Sequence, residues 1–124
     1  MIQTLLQVAA GGALGASARF LFGAGVLRLT GSGFPWATMI VNILGSFLMG
    51  VLVVVLAQKG NRCAPFLTTG LLGGFTTFSA FSLDAVALAG RGQAGLAAAY
   101  VAGSVALSIA ALLAGLAATK GLFA

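Results

Sequence analysis

The chain has 124 residues, of which 60% are hydrophobic and only 6% are charged. A soluble domain carries about 25% charged residues, so this composition excludes an ordinary soluble domain and predicts a membrane protein.

Six basic residues oppose one acidic residue. They are dispersed, so they predict no nucleic-acid-binding stripe, and the excess positive charge favours an anionic ligand instead. One cysteine and no histidine exclude an intrachain disulfide and a histidine-based metal site.

Four apolar stretches predict an all-α membrane protein with four transmembrane helices in one domain, residues 1–124. A spanning helix needs about 20 apolar residues, so only short connections fit between the helices. The predicted helices cover about residues 2–29, 36–57, 65–89 and 94–118. The turns between them are rich in glycine and polar residues.

A cleaved signal peptide is the alternative interpretation of the first stretch. Residues 5–14 resemble its hydrophobic region, and the small residues 16–18 resemble a cleavage site. No basic residue precedes them, and apolar sequence continues beyond Arg19. We therefore expect a retained membrane helix.

The third stretch contains the sequence Gly-Gly-Phe-Thr-Thr at its centre, residues 73–77. Glycine entropy and β-branching weaken a helix, so we predict that this helix is broken near its middle. A break inside a membrane leaves backbone carbonyls without amide partners, and a bound cation would satisfy them. Oxygen ligands without a carboxylate favour a monovalent ion such as Na⁺, since harder divalent cations usually attract carboxylates.

The basic residues of the connections give little preference for one orientation in the membrane. Lys59, Arg62 and Lys120 would lie on one side, and Arg28 and Arg91 on the other. This weak positive-inside bias favours insertion in both orientations, and hence a two-fold antiparallel dimer. The second copy would then take the place of the inverted repeat of larger transporters.

Polar residues recur on one face of the second helix and of the fourth. Thr38 and Asn42 are four residues apart, and Tyr100, Ser104 and Ser108 follow the same spacing. Two interpretations fit these residues. They form hydrogen bonds within and between packed helices, or they donate to an anion that passes between the helices.

Phe78 and Phe81 share a face of the third helix, and Ser79 lies beside them. Ordinary aromatic packing is one interpretation. The other uses the positive edge of each ring, which can line the path of an anion without holding it as a lysine would.

Together these segments resemble the Fluc family of fluoride channels, also called CrcB. The matching motifs lie, in order, at residues 11–15 with Arg19, at residues 38–50, and at residues 73–82. They extend over essentially the whole chain, and the element Gly-Gly-x-Thr-Thr-Phe-Ser-x-Phe-Ser is specific. The resemblance implies a channel, not an enzyme, that passively exports fluoride from the cytoplasm. It also implies an antiparallel, dual-topology homodimer in the inner cell membrane, with two pores, a central structural Na⁺ and no other protein partner.

The resemblance also implies roles for particular residues. Backbone carbonyls of Gly73 and Thr76 from both subunits would hold the Na⁺. Side chains would line the fluoride pores, with donors and ring edges supplied by Asn42, Phe78, Ser79 and Phe81. A polar track would follow, formed by Thr38, Tyr100, Ser104 and Ser108.

Arg19 matches an arginine of the family's first helix. It would either concentrate anions at a water-filled vestibule or extend to the membrane interface. Two residues depart from the family's pattern, because Asp84 stands where glutamate is frequent and Ala80 where threonine is common. We assign Asp84 no essential role.

Two other functions fit a small chain with four spans. A dual-topology, proton-coupled multidrug exporter needs a carboxylate in its first helix, and this first helix has none. A non-conducting membrane assembly protein would use the glycine-rich helices, but it would not need Asn42, the two phenylalanines and the hydroxyl stripe to converge.

Overall fold

The computed structural model describes residues 1–60 and 62–124, and one residue of the predicted second turn, 61, lies outside them. The helices are α1 (Ile2–Thr30), α2 (Trp36–Lys59), a π-helix (Phe66–Leu72), α3 (Gly73–Phe75), α4 (Phe78–Gly90) and α5 (Ala94–Phe123). Four segments are long and apolar enough to cross a membrane, with Phe66–Gly90 as the third span. This confirms the predicted all-α architecture of four spans.

A glycine ends the first helix, whereas the last helix extends further than predicted. Gly31 follows α1 with a left-handed φ of 76°, and its N–H donates to the Leu27 carbonyl at 2.8 Å. Glycine adopts that conformation without steric cost. Helix α5 continues to Phe123, past the predicted end at residue 118, with Lys120 in its last turn. A cation there interacts favourably with the helix dipole, so Lys120 does not end the helix.

The third span changes its packing partner along its length. Residues 66–75 pack against α1, whereas α4 packs against α5, and α2 lies along α5 and also contacts α1. A buried cluster that includes Met39, Phe81 and Tyr100 joins α2, α4 and α5. The third span therefore passes from α1 to α5 near its middle, and it contacts α2 along the way.

Glycine allows two of these helix pairs to approach backbone to backbone. A Cβ atom on Gly11 of α1 would lie 2.9 Å from the Cα of Gly70. A Cβ atom on Gly50 of α2 would lie 3.2 Å from the Cα of Gly115 of α5. Close approach of this kind gives membrane helices their packing energy.

The glycines at 73 and 74 do not break the third span, so that part of the prediction is wrong. Gly73–Phe75 is helical, and a Cβ atom on Gly74 would lie 2.7 Å from the carbonyl oxygen of Gly12. Gly74 is thus needed for close packing on α1. The residues with extended backbone angles are Thr76 (φ −83°, ψ 158°) and Thr77 (φ −150°, ψ 125°).

Candidate functional site

An open groove of about 280 Å³ lies between α2, α4 and α5, beside the two extended threonines. The described residues that line it carry hydroxyl, amide and aromatic groups, and none of them has an ionisable side chain. Several residues predicted for the pore, the polar track and the metal site meet there: Asn42, Thr76, Phe78, Phe81, Ser104 and Ser108. This groove is the candidate site.

The side-chain amide of Asn42 pairs with the backbone of Thr77 in both directions. Nδ2 of Asn42 donates to the Thr77 carbonyl at 2.9 Å, and Oδ1 accepts from the Thr77 N–H at 2.8 Å. An asparagine amide carries two N–H donors, so one remains for another acceptor. Asn42 therefore fixes the extended residue and keeps a donor available at the groove.

This pairing changes the environment of two backbone carbonyls. In a continuous α-helix the Thr77 N–H would donate to the Gly73 carbonyl, and the Ala80 N–H to the Thr76 carbonyl. Instead, the Thr77 N–H donates to Asn42, and the Ala80 N–H donates to Oγ1 of Thr77 at 3.2 Å. The carbonyls of Gly73 and Thr76 have thus lost their helical donors, and they are the two that the resemblance implies as Na⁺ ligands.

Arg19 extends from α1 to the third span, where its Nε donates to the Gly74 carbonyl at 3.2 Å. The helical donor of that carbonyl would be the N–H of Phe78, which lies beyond the extended residues. Arg19 also lines a cavity of about 310 Å³ together with Thr38 and Thr77, which we call the inner cavity. The Arg19 side chain therefore lies against the third span.

Aromatic rings connect the groove to the turn between α1 and α2. In order, they are Trp36, Phe34, Tyr100, Phe81 and Phe78, with centroids 4.6, 5.4, 5.3 and 5.4 Å apart. Phe34 meets Tyr100 edge to face, at 88° between the ring planes. Phe81 is 8% exposed, whereas Phe78 is 77% exposed. The two phenylalanines are in contact, but Phe78 projects from the chain.

Tyr100 is completely buried, and its hydroxyl donates to Oδ2 of Asp84 at 3.2 Å. Thr38 lies beside the same hydroxyl. Thr38 and Tyr100 therefore meet one another, and neither is among the described residues that line the groove. Asp84 orients the tyrosine hydroxyl, which the sequence analysis did not anticipate.

The predicted serines occupy different environments. Ser104 is 4% exposed, and its hydroxyl has no hydrogen-bond partner among residues 1–60 and 62–124. Ser108 lines the groove. Ser79 is exposed and lies outside the groove lining, with its Oγ 3.4 Å from Oγ1 of Thr77. The structure thus brings Ser104 and Ser108 together with Asn42, but it leaves Ser79 and Gly73 at the surface.

Sequence reasoning also missed Thr77. It caps α4, accepts from Ala80, and holds both hydrogen bonds to Asn42. A threonine directly before an apolar run is a preferred helix N-cap, and that pattern was available in the sequence. Its pairing with a residue 35 positions away was not.

Four apolar spans enclosing a groove of uncharged polar groups define a multi-pass membrane protein with a polar cleft between its helices. The chain matches the family described as CrcB-like protein, Camphor Resistance (CrcB), over residues 6–116. It belongs to that family.

Curated relatives of the chain carry the name fluoride-specific ion channel FluC. One from Cereibacter sphaeroides (strain ATCC 17029 / ATH 2.4.9) is 74% identical over 121 residues, which cover 98% of each chain. One from Ruegeria sp. (strain TM1040) is 58% identical over 123 residues, again 98% of each. One from Agrobacterium fabrum is 54% identical over 119 residues, 94% of this chain and 95% of the relative.

Proposed function

We propose that the chain forms a fluoride-selective channel that conducts fluoride passively across the cell membrane. The observation that carries the proposal is the groove itself. It gathers the amide of Asn42, the buried hydroxyl of Ser104 and the rings of Phe78 and Phe81 around a small open volume. The names of the relatives agree with it, since three of them are called fluoride-specific ion channels.

The donors of the groove suit an ion that must lose water without being trapped. Fluoride is small and strongly hydrated, so its path must replace water's hydrogen bonds with closely spaced donors. Asn42 has one N–H to spare, and a buried hydroxyl such as that of Ser104 gains free energy from any acceptor that reaches it. Conduction also requires that binding be weak, and ring edges and hydroxyls bind an anion more weakly than a lysine would. The same close spacing would exclude the larger chloride.

A second, antiparallel copy would complete the groove. Phe78 is 77% exposed beside an open groove, although it belongs to the proposed pore. In a two-fold dimer, Phe78 of one subunit would face the groove of the other, which would give two pores per dimer. Insertion in both orientations agrees with the weak charge bias of the connections.

The proposed dimer axis would hold a structural Na⁺ at the bend of the third span. The carbonyls of Gly73 and Thr76 have lost their helical donors, and a membrane offers no water to replace them. Two such carbonyls from each copy would give the ion four oxygen ligands. In this proposal the third span is a helix broken at residues 76 and 77, and the ion binds at the break.

Arg19 would attract anions towards this region. Its Nε is bound to the Gly74 carbonyl, so its remaining guanidinium donors face the inner cavity. A positive charge at a partly enclosed cavity raises the local concentration of anions.

Export would follow from the membrane potential. Fluoride enters cells as neutral HF and ionises in the cytoplasm, and a potential that is negative inside drives the anion out. Moving one charge through 100 mV releases about 2.3 kcal/mol, so no coupled ion is needed. A channel in the inner membrane would in this way protect the cytoplasm from fluoride.

Current recordings in planar bilayers test this proposal against a proton-coupled exporter. We expect the reversal potential to follow an imposed fluoride gradient and to ignore an imposed pH gradient. A current that follows the proton gradient would instead support the exporter. A protein that carries no fluoride current would support a non-conducting assembly role.

A further inference from the structure

A second cavity, which we call the outer cavity, lies at the end of the molecule where α1 joins α2 and α4 joins α5. It has a volume of about 300 Å³ and is lined by Phe34, Thr38, Asp84 and Arg91, among others. It shares four lining residues with the inner cavity, Gly23, Leu27, Ala37 and Thr38. The two cavities are therefore adjacent, and together they lead from the surface turn to Arg19 and the bend of the third span.

The outer cavity contains an electrostatic obstacle to an anion. Asp84 is the one acidic residue of the chain, and it lines this cavity. Its carboxylate accepts from the Tyr100 hydroxyl, and no basic side chain lies within salt-bridge distance of it in residues 1–60 and 62–124. An anion that enters here meets an unneutralised negative charge unless a positive charge lies nearby.

Arg91 supplies that charge at the mouth of the outer cavity. It lies seven residues after Asp84, at the end of α4, and so on the same face of the helix. Its Nη2 donates to the Gly33 carbonyl at 3.1 Å. The turn that carries Gly33 is itself held, because Phe34 packs edge to face on the buried Tyr100. The guanidinium is exposed, but it is fixed at the entrance.

We propose that Arg91 is a further determinant of anion entry, whose charge at the outer mouth offsets Asp84 and raises the fluoride concentration there. The proposal rests on the proposed fluoride conduction. Arg91 is not among the described residues that line the groove, so its effect acts before the ion reaches the groove. An antiparallel second copy would place the same residue at the opposite face of the membrane, so the effect does not depend on the direction of flux.

The size of the effect follows from Coulomb's law in water. A unit charge about 7 Å from an ion changes the local concentration of that ion about threefold. Screening removes the effect as salt rises, because the Debye length falls from about 30 Å at 0.01 M to about 3 Å at 1 M ionic strength. A charge effect is thus separable from a structural one by its salt dependence.

The experiment measures fluoride conductance in planar bilayers for the wild type, R91Q, R91K and R28Q, at about 0.01 M and at about 1 M ionic strength. The added salt has a bulky anion, such as gluconate. Arg28 is a matched control, because it is exposed in the last turn of α1 near the same surface and does not line the outer cavity. Size-exclusion profiles establish that each variant remains folded.

We expect R91Q to lower the conductance about threefold at low ionic strength and to equal the wild type at high ionic strength. R91K should recover most of the conductance, and R28Q should lower it clearly less than R91Q does, because Arg28 does not line the cavity. Equal conductance of R91Q and R28Q would overturn the proposal. A loss in R91Q that persists at high salt, or that R91K shares, would also overturn it, since the contact with Gly33 would then be the whole role of Arg91. A wild-type protein without fluoride conductance would overturn the proposed function itself, and the proposal with it.

Discussion

Replacing Asn42 by alanine tests whether the amide of this residue holds the third span in its bent conformation. The substitution removes the donor at 2.9 Å from the Thr77 carbonyl and the acceptor at 2.8 Å from the Thr77 N–H. It leaves both backbone groups of Thr77 without their partner, in a partly buried site at membrane depth. Thr77 would then keep only its Oγ1 contacts, with the N–H of Ala80 and with Oγ of Ser79, among the hydrogen bonds of the described residues.

The expected loss of stability can be worked out from these two hydrogen bonds. A net hydrogen bond contributes about 0.5–1.5 kcal/mol, and an unsatisfied buried partner adds a desolvation cost of about 1–3 kcal/mol. Thr77 is only partly buried, so the lower part of each range applies. Two bonds at about 0.5 kcal/mol and two unsatisfied groups at about 1 kcal/mol each predict that Asn42→Ala lowers the free energy of unfolding by about 3 kcal/mol.

Reversible unfolding in mixed micelles, followed by circular dichroism, measures this change. Ser46→Ala is the matched control, because Ser46 lies one turn further along α2 and lines the same groove. We expect that variant to stay within about 0.5 kcal/mol of the wild type. If Asn42→Ala and Ser46→Ala unfold alike, the Asn42 amide does not hold the bend, and the account of the freed carbonyls fails with it.

Three further predictions follow from the rings, the glycines and the proposed ion. Phe81→Ile should impair fluoride efflux but leave the proposed dimer intact, because it removes the positive ring edge and keeps apolar bulk. Unchanged efflux, equal to that of Phe47→Ile on α2, would favour ordinary packing. Gly115→Ala should lower the free energy of unfolding by about 1–3 kcal/mol, because its Cβ atom would meet the backbone of α2. Gly121→Ala on the same helix is the control, because a Cβ atom there has open space and should not change stability. Protein purified and equilibrated in N-methyl-D-glucamine should unfold at a lower temperature than protein in Na⁺, and equal midpoints would contradict a structural Na⁺.

The four spans could be predicted from the sequence because a bilayer imposes a simple requirement of length and apolarity. The polar face of α2 and that of α5 could also be predicted, since Asn42, Ser104 and Ser108 recur at helical spacing. These positions do meet in one groove. The sequence of each helix alone was sufficient to predict the spans and the two polar faces, because each of these features depends on residues within a single helix.

The bend lies at Thr76 and Thr77, inside the predicted segment 73–77 but not at its glycines, because glycine has two uses in a membrane helix. Gly73 and Gly74 were expected to interrupt the helix through backbone entropy, but Gly74 is helical and lies against Gly12 of α1. Likewise, no local pattern pairs Asn42 with Thr77, or Arg19 with the Gly74 carbonyl 55 residues away. Contacts between distant segments decided these details.

The most direct test of the central claim is the release of ions from liposomes that contain the purified protein. Liposomes loaded with equal fluoride and chloride are diluted into impermeant salt, and both ions are followed with selective electrodes. We predict that fluoride leaves rapidly down its gradient while chloride is retained. Equal release of both ions, or release of neither, would contradict the account.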